Sequence, residues 1–333
     1  MRLRTVSPSA KGWTRRRAGR GFSYVDSDGQ RLPAEDVARI RALAIPPAWE
    51  QVWISPFANG HIQAVGTDAA GRRQYLYHPH WREKRDAAKH DRVLAAAARL
   101  PRVRRQLALD LALDGMPITR ATATAVRLLD LGYFRIGSES YTDEHGSFGL
   151  TTQQRTHVRR AKGALLFTFV GKGGIQQSIT VEDVEVAASL QVMRGRRGGS
   201  DRLLVYKDGR LWSDLDAAMV NGYLAELFRG EVTAKDFRTW HATVHAAVAL
   251  GQSSEDGLTQ ASRRRAIKHA VEQVADYLGN TPTIARTSYI DPRVIDLYEE
   301  GRVLAVPRAR RPRTPAQEQA VVERAVRALL AGA

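Results

Sequence analysis

The sequence predicts an α+β protein in two parts: a small β-rich N-terminal domain and a larger, mainly α-helical domain holding a small β-sheet. Three observations point there. Short strand-like runs separated by Gly, Pro and Asn turns fill the chain up to residue 78. Helical periodicity dominates from Trp81 onward. Within that helical part, two glycine-bearing turns, Gly171–Gly174 and Lys207–Gly209, sit between short apolar runs of strand character. A chain of 333 residues is long enough for two cores. The expected divisions are a basic arm over 1–20, the β-rich domain over 21–88, the helical domain over 89–306, and a basic linker with a C-terminal helix over 307–333.

In chain order, Phe22–Leu32 alternates around Asp26-Ser27-Asp28-Gly29 and reads as a hairpin. That turn also has the opening of a calcium loop, but the later ligands and the closing Glu are missing. Ala34–Leu43 is amphipathic and stops at Pro46-Pro47. Gln51–Ile54, His61–Thr67 and Gln74–Tyr77 read as strands. Trp81–Leu100 reads as a charged helix broken by Pro101, and a helical pattern continues to about residue 135. Leu165–Val170 and Ile175–Val181 flank the first glycine-rich turn. Glu182–Arg194 is helical, Leu203–Tyr206 and Leu211–Trp212 form a second hairpin, and nearly everything after Ser213 is helix. Ala320–Leu330 is a short amphipathic helix beyond a Pro/Arg linker.

Gly279–Pro292 is the most heavily punctuated stretch. Gly279 suits a left-handed helix terminator, Thr281 an N-cap, and Pro282 the first position of a short new helix. Asp291-Pro292 ends it and caps the next helix, Arg293–Glu300, which Gly301 closes. Tyr289 therefore falls at the frayed end of a short helix, with Arg286 one turn behind.

Composition narrows the function classes. Lys and Arg number 51 against 35 Asp and Glu, a formal charge of +16. The excess favours a polyanionic partner, and nucleic acid fits better than a membrane, because no basic amphipathic helix with an aromatic face is present. No apolar run is long enough to span a bilayer, and the N-terminus lacks a secretory h-region, so a cytoplasmic, nucleoid-associated protein is expected. Without cysteine there are no disulfides, thiol nucleophiles or Cys zinc sites. Gly171–Gly174 lacks the Gly-Lys-Ser/Thr order of a phosphate-binding P-loop, and no His-Glu-x-x-His occurs. Asp110 and Asp114 share a helix face without a third ligand. No metal or cofactor is expected.

Several landmarks remain, and each alone has an ordinary explanation, since hairpin lysines are mostly solvated and helix-end arginines mostly pair with carboxylates. Arg135 lies in Phe134-Arg135-Ile136-Gly137 at the end of an apolar helix. Lys172 stands at a glycine-rich hairpin tip. Arg238 follows Lys235-Asp236-Phe237 at a helix start, and Asn280 and Tyr289 complete the group.

Together, Phe-Arg-Ile-Gly, Phe-Val-Gly-Lys, Lys-Asp-Phe-Arg-Thr, Leu-Gly-Asn-Thr-Pro and Ser-Tyr-Ile-Asp-Pro resemble the active site of type IB DNA topoisomerases, in the compact bacterial and poxvirus-like branch. Order and spacing agree across nearly the whole chain. The resemblance implies two domains forming a clamp around duplex DNA, with Tyr289 as nucleophile, a 3′-phosphotyrosyl intermediate, and relaxation of supercoils without ATP or metal. It makes Arg135, Arg238 and Asn280 donors to the phosphate and Lys172 the general acid. It also implies DNA contacts from Gln74, Tyr75, Tyr77 and Tyr141, and nothing in it requires more than a monomer. Poxviral members carry His where this chain has Asn280, and because Asn cannot carry a proton an acid role is excluded here. The tail beyond Pro307 lies outside the shared core. Tyr289 is expected half-placed, its hydroxyl several ångströms from the arginines. Two other readings stay open. A tyrosine recombinase shares the chemistry, although its His-x-x-Arg is absent at Arg238 and its N-terminal domain is helical. A non-enzymatic DNA-binding protein would explain the charge but not the five landmarks.

Overall fold

The computed structural model describes residues 1–132, 134–137, 146–161, 163–253, 259–305 and 314–332. The chain divides into two compact units, Met1–Lys89 and His90–Ala333.

Unit 1 is a five-stranded antiparallel sheet of order β2-β1-β3-β4-β5, from β1 (Trp13–Ala18), β2 (Gly21–Val25), β3 (Glu50–Ile54), β4 (Ile62–Thr67) and β5 (Arg73–Tyr77). The helix α1 (Ala34–Ala42) contributes Ile40 to a small core with Val52, Ile54 and Ala64, bordered by Trp13, Trp49 and Leu76. One expectation is corrected. Residues 13–18 of the expected basic arm are a strand inside the sheet. The Arg15 guanidinium explains why, because it donates to the carbonyls of Ile45, Pro46 and Trp49 instead of facing solvent. The expected Phe22–Leu32 hairpin is present but short: β2 pairs mainly with β1, from Thr14 opposite Val25 to Ala18 opposite Gly21, while across the Asp26 turn Asp26 N–H donates to the Gln30 carbonyl and Leu32 N–H to that of Tyr24. An antiparallel bridge joins Val25 to Arg31 across this turn, and the Asp26 carboxylate accepts from the backbone of Asp28 and Gln30.

The helix α2 runs from Pro79 to Leu111 straight through Pro101, which was expected to break it. Its buried residues, His90, Val93, Ala96, Ala97, Leu100, Val103, Leu107 and Leu111, keep one face across the proline. Burying that continuous stripe outweighs a proline penalty of about 3 kcal/mol.

In unit 2, α3 (Ile118–Asp130) is rich in Ala and Thr and is buried along most of its length, which lets its neighbours approach closely. Around it lie α4 (Val184–Gly195), α5 (Ala217–Phe228) and α6 (Ala234–Gln252). Thr233 and Asp236 cap α6 reciprocally. The helices α7 (Gln260–Leu278), α8 (Pro282–Ser288) and α9 (Pro292–Glu299) follow. A three-stranded sheet, β6 (Val158–Ala161), β7 (Ala164–Val170) and β8 (Gln176–Val181), is antiparallel in that order, and β9 (Val205–Asp208) pairs with β10 (Leu211–Asp214). The strand β6 was not expected, because Val-Arg-Arg-Ala carries too little apolar alternation. The C-terminal helix α10 (Pro315–Ala331) docks in unit 2, burying Val326 and Leu330.

Phe134, 1% exposed, meets the rings of Phe167 at 4.9 Å and Phe169 at 6.3 Å. It anchors the segment bearing Arg135 to the sheet. Phe134→Ala should therefore cost about 3–5 kcal/mol in chemical denaturation. A loss below about 1 kcal/mol would show that the aromatic cluster does not hold this segment.

Candidate active site

Arg135 sits just after α3 in an extended segment pinned on both sides. Leu150 N–H donates to the Arg135 carbonyl at 2.7 Å, and Thr151 N–H to that of Ile136 at 2.8 Å. Gly137 and Gly149 touch so closely that a Cβ on Gly149 would lie 2.3 Å from the Gly137 Cα. Only glycine fits there.

The α7 C-terminus supplies the meeting point. Gly279 ends the helix in the left-handed conformation at φ 59°. Arg238, 4% exposed, donates to the Leu278 carbonyl at 2.7 Å. Arg135 donates to the Gly279 carbonyl at 2.9 Å and to Asn280 Oδ1 at 2.6 Å. The negative end of a helix thus holds two arginines that share no carboxylate partner in these contacts. Asn280 spends its oxygen on Arg135, and among the described residues neither its buried amide nitrogen nor Arg238 Nε has a hydrogen-bond partner.

Tyr289 closes α8 as expected. Thr281 caps that helix by accepting from Ile284 N–H, and Asp291 caps α9. The tyrosine ring is half-buried at the edge of the core, 5.6 Å from Arg238 Cζ and 5.9 Å from Lys235 Nζ. The Thr243 hydroxyl ties this corner to α6. It accepts from Asp291 N–H at 3.1 Å and directs its proton toward the carbonyls of Thr239 at 2.9 Å and Tyr289 at 3.4 Å.

Lys172 occupies the turn between β7 and β8, where Gly173 and Gly174 take φ of 78° and 76°. It lines a cavity of about 290 Å³ with Arg135, Ile136, Gly137, Ser147, Phe148 and Gly149. Arg135, Arg238, Asn280 and Tyr289 therefore form one cluster, and Lys172 shares a cavity with its first member.

Burial, then repulsion from Arg238, pushes Arg135 down to about 10, with Tyr289 opposing. Burial also lowers Arg238, again opposed by Tyr289. Two desolvated like charges beside unpartnered donors are a site waiting for an anion. Among the described residues no group of His, Asp and Glu could hold a metal ion.

Lys235 and Thr243 belong to this site and were not singled out from sequence. The i,i+3 spacing of Lys235 and Arg238 on one helix face is a signal for Lys235; nothing in the sequence marks Thr243. In unit 1, Gln74 donates to Asp68 Oδ2 at 2.9 Å. That carboxylate is held down at about 2, chiefly by Arg72 backbone and side-chain hydrogen bonds. Tyr75 and Tyr77 stack on one face of β5 at 6.0 Å, with Arg73 5.9 Å from the Tyr75 ring. Tyr141 lies outside the described residues.

Comparison with known proteins matches residues 78–300 to the catalytic core of eukaryotic DNA topoisomerase I and residues 21–68 to the N-terminal domain of bacterial DNA topoisomerase IB. DNA topoisomerase 1B of Acanthamoeba polyphaga mimivirus is 28% identical over 304 residues, covering 87% of this chain and 88% of that protein. DNA topoisomerase 1B of Vaccinia virus (strain Copenhagen) is 20% identical over 263 residues, 78% of each. The chain belongs to the type IB DNA topoisomerase family, whose members are isomerases acting on DNA. That membership sets aside the recombinase and the non-enzymatic readings. No helix among the described residues is long and apolar enough to cross a membrane.

An anion at the arginine pair should stabilise the fold. Sulfate at ten times its dissociation constant should add about 1.4 kcal/mol at constant ionic strength, read as a rise in Tm over a chloride control. The rise should vanish in Arg135→Ala; an equal rise in that variant would place the bound anion elsewhere.

Proposed function

We propose that the chain relaxes supercoiled duplex DNA by cutting and rejoining one strand through Tyr289. The observation that carries this reading is the meeting of half-buried Arg135, buried Arg238 and the Asn280 amide at the end of α7, with the Tyr289 ring against Arg238.

The phenol oxygen attacks a backbone phosphorus, forming the Tyr289–phosphate bond as the bond to the 5′ oxygen breaks. The DNA 3′ end stays on the protein. A free tyrosine titrates near 10 and is a weak nucleophile at neutral pH. Cations beside its ring, Arg238 and Lys235 among them, favour the phenolate as the proton passes to water. As negative charge builds on the nonbridging oxygens, Arg135 and Arg238 meet it with forked N–H donors and Asn280 with a neutral one. Their carbonyl partners at Leu278 and Gly279 hold them in place beforehand, so little reorganisation remains for the reaction. The leaving 5′ oxygen takes a proton from the Lys172 ammonium. One phosphodiester replaces another, so the step is near isoenergetic and draws nothing from ATP. Religation runs the same steps backward, and rotation of the free end in between removes supercoils.

The remaining assignments follow from the same reading. The two units act as domains that close on duplex DNA. Gln74, Tyr75 and Tyr77 touch the DNA from β5, as does Tyr141 from unit 2. The protein works as a monomer on chromosomal DNA, with no metal or small-molecule cofactor.

With EDTA and without ATP, wild-type protein should relax a supercoiled plasmid and Tyr289→Phe should not. Relaxation that survives this substitution would overturn the reading. Lys172→Ala should slow relaxation by about 10²–10⁴-fold while plasmid binding, measured by gel shift, stays close to wild type.

A further inference from the structure

Behind the candidate site lies a buried ionic cluster that the proposed chemistry does not use. Arg104 on α2 is held by two carboxylates at once. Its Nε and Nη2 donate to Asp130 at 2.8 Å each, and its Nη1 and Nη2 donate to Glu323 at 2.7 and 2.8 Å. Asp130 is fully buried and takes a further bond from Arg127 Nη1 at 2.8 Å, and Arg127 in turn reaches Asp183 at 2.9 Å. Burial alone would raise the Asp130 pKa; the Arg104 charge and hydrogen bonds override it and keep the carboxylate ionised. Glu323 comes from α10, which lies past the matched family core ending at residue 300. It is only 5% exposed. An acid buried this deeply on a terminal helix is uncommon unless it is paired.

The position of Asp130 gives the cluster its consequence. It is the last residue of α3 and lies five positions before Arg135. Two residues on, Gly132 packs where a Cβ would fall 2.0 Å from the Tyr277 hydroxyl and 3.1 Å from His241 Cγ. His241 is one turn beyond Arg238 on α6, and Tyr277 precedes the Leu278 carbonyl that holds Arg238. The His241 ring is buried, lies within the field of Asp130 and is kept neutral chiefly by burial. The end of α3 is therefore where the segments carrying Arg135, Arg238 and the α7 carbonyls meet, and Arg104 grips that end while also held by Glu323.

We infer that Glu323, and through it α10, is a positioning residue that sets the geometry of the Arg135–Arg238 pair. This inference rests on the proposed role of those arginines. Without Glu323, the partly exposed Arg104 can turn toward solvent, and Asp130 keeps only Arg127. The α3 terminus then loosens against Gly132 and His241, and the two guanidinium groups lose their register on the phosphate. DNA affinity has no reason to change, because α10 acts through α3 and not on the DNA.

The test is steady-state relaxation by the full chain, with plasmid concentration varied to separate kcat from KM, well below the measured Tm of each variant. Glu323→Ala should lower kcat about 10-fold, since small misplacements of catalytic groups carry effects of this size or more, with KM unchanged. Glu323→Gln keeps one acceptor oxygen and should fall between Ala and wild type; it also carries the test if the Ala variant does not fold. A folded Glu323→Ala with wild-type kcat would overturn the inference and leave α10 a purely stabilising helix. A raised KM with kcat unchanged would overturn it too, making α10 a DNA contact. Tyr289→Phe, run alongside, separates the two failures: relaxation by that variant condemns the proposed chemistry itself, whatever the Glu323 variants do.

Discussion

A buried arginine and a half-buried one cannot sit together without something to hold them, and here the C-terminal turn of α7 does so. The carbonyls of Leu278 and Gly279 point out of a helix end that carries partial negative charge, and each takes one guanidinium. Carbonyls suit this task better than carboxylates would. A paired carboxylate would neutralise the arginines and compete with a phosphate, whereas a carbonyl orients the cation and leaves its charge available. Gly279 is what makes the turn possible, because its left-handed conformation brings residues 278, 279 and 280 to the same side.

The tyrosine is held differently. Its helix, α8, spans Pro282–Ser288 and buries only Ala285, so it depends on its ends. Thr281 caps the front, while Thr243 fastens the back by bonding at once to the Tyr289 carbonyl and the Asp291 amide. Asp291 is itself buried and paired with Arg293 at 2.7 Å. A nucleophile that attacks and is later displaced fits such a support, with ends fixed and a short body free to give. The contrast between a rigid cation pair and a lightly held tyrosine is the structural basis of the proposed reaction.

Much of this was legible in the sequence where local chemistry decides the outcome. Gly279, Thr281-Pro282 and Asp291-Pro292 each favour one backbone solution, and the helices begin and end where those residues require. Tertiary packing decided the rest. Pro101 sits within a helix because a buried stripe continues on both sides of it. The run Trp13–Ala18 is a strand although three of its six residues are arginine, one of which turns inward to carbonyls. Thr243 has no signature, since a threonine in a helix ordinarily bonds only to its own preceding turn. The docking of α10 also pairs Glu323 with Arg104 across 219 residues, a pairing invisible to any local pattern.

The central claim is that the Tyr289 oxygen becomes bonded to DNA. The most direct measurement traps the reaction with denaturant during plasmid relaxation, digests the adduct with nuclease and protease, and maps the modified peptide by mass spectrometry. The account predicts a nucleotide attached through its 3′ phosphate to Tyr289, with the other DNA end bearing a free 5′ hydroxyl. A covalent adduct on any other residue, or a 5′ phosphate linkage at Tyr289, would contradict it.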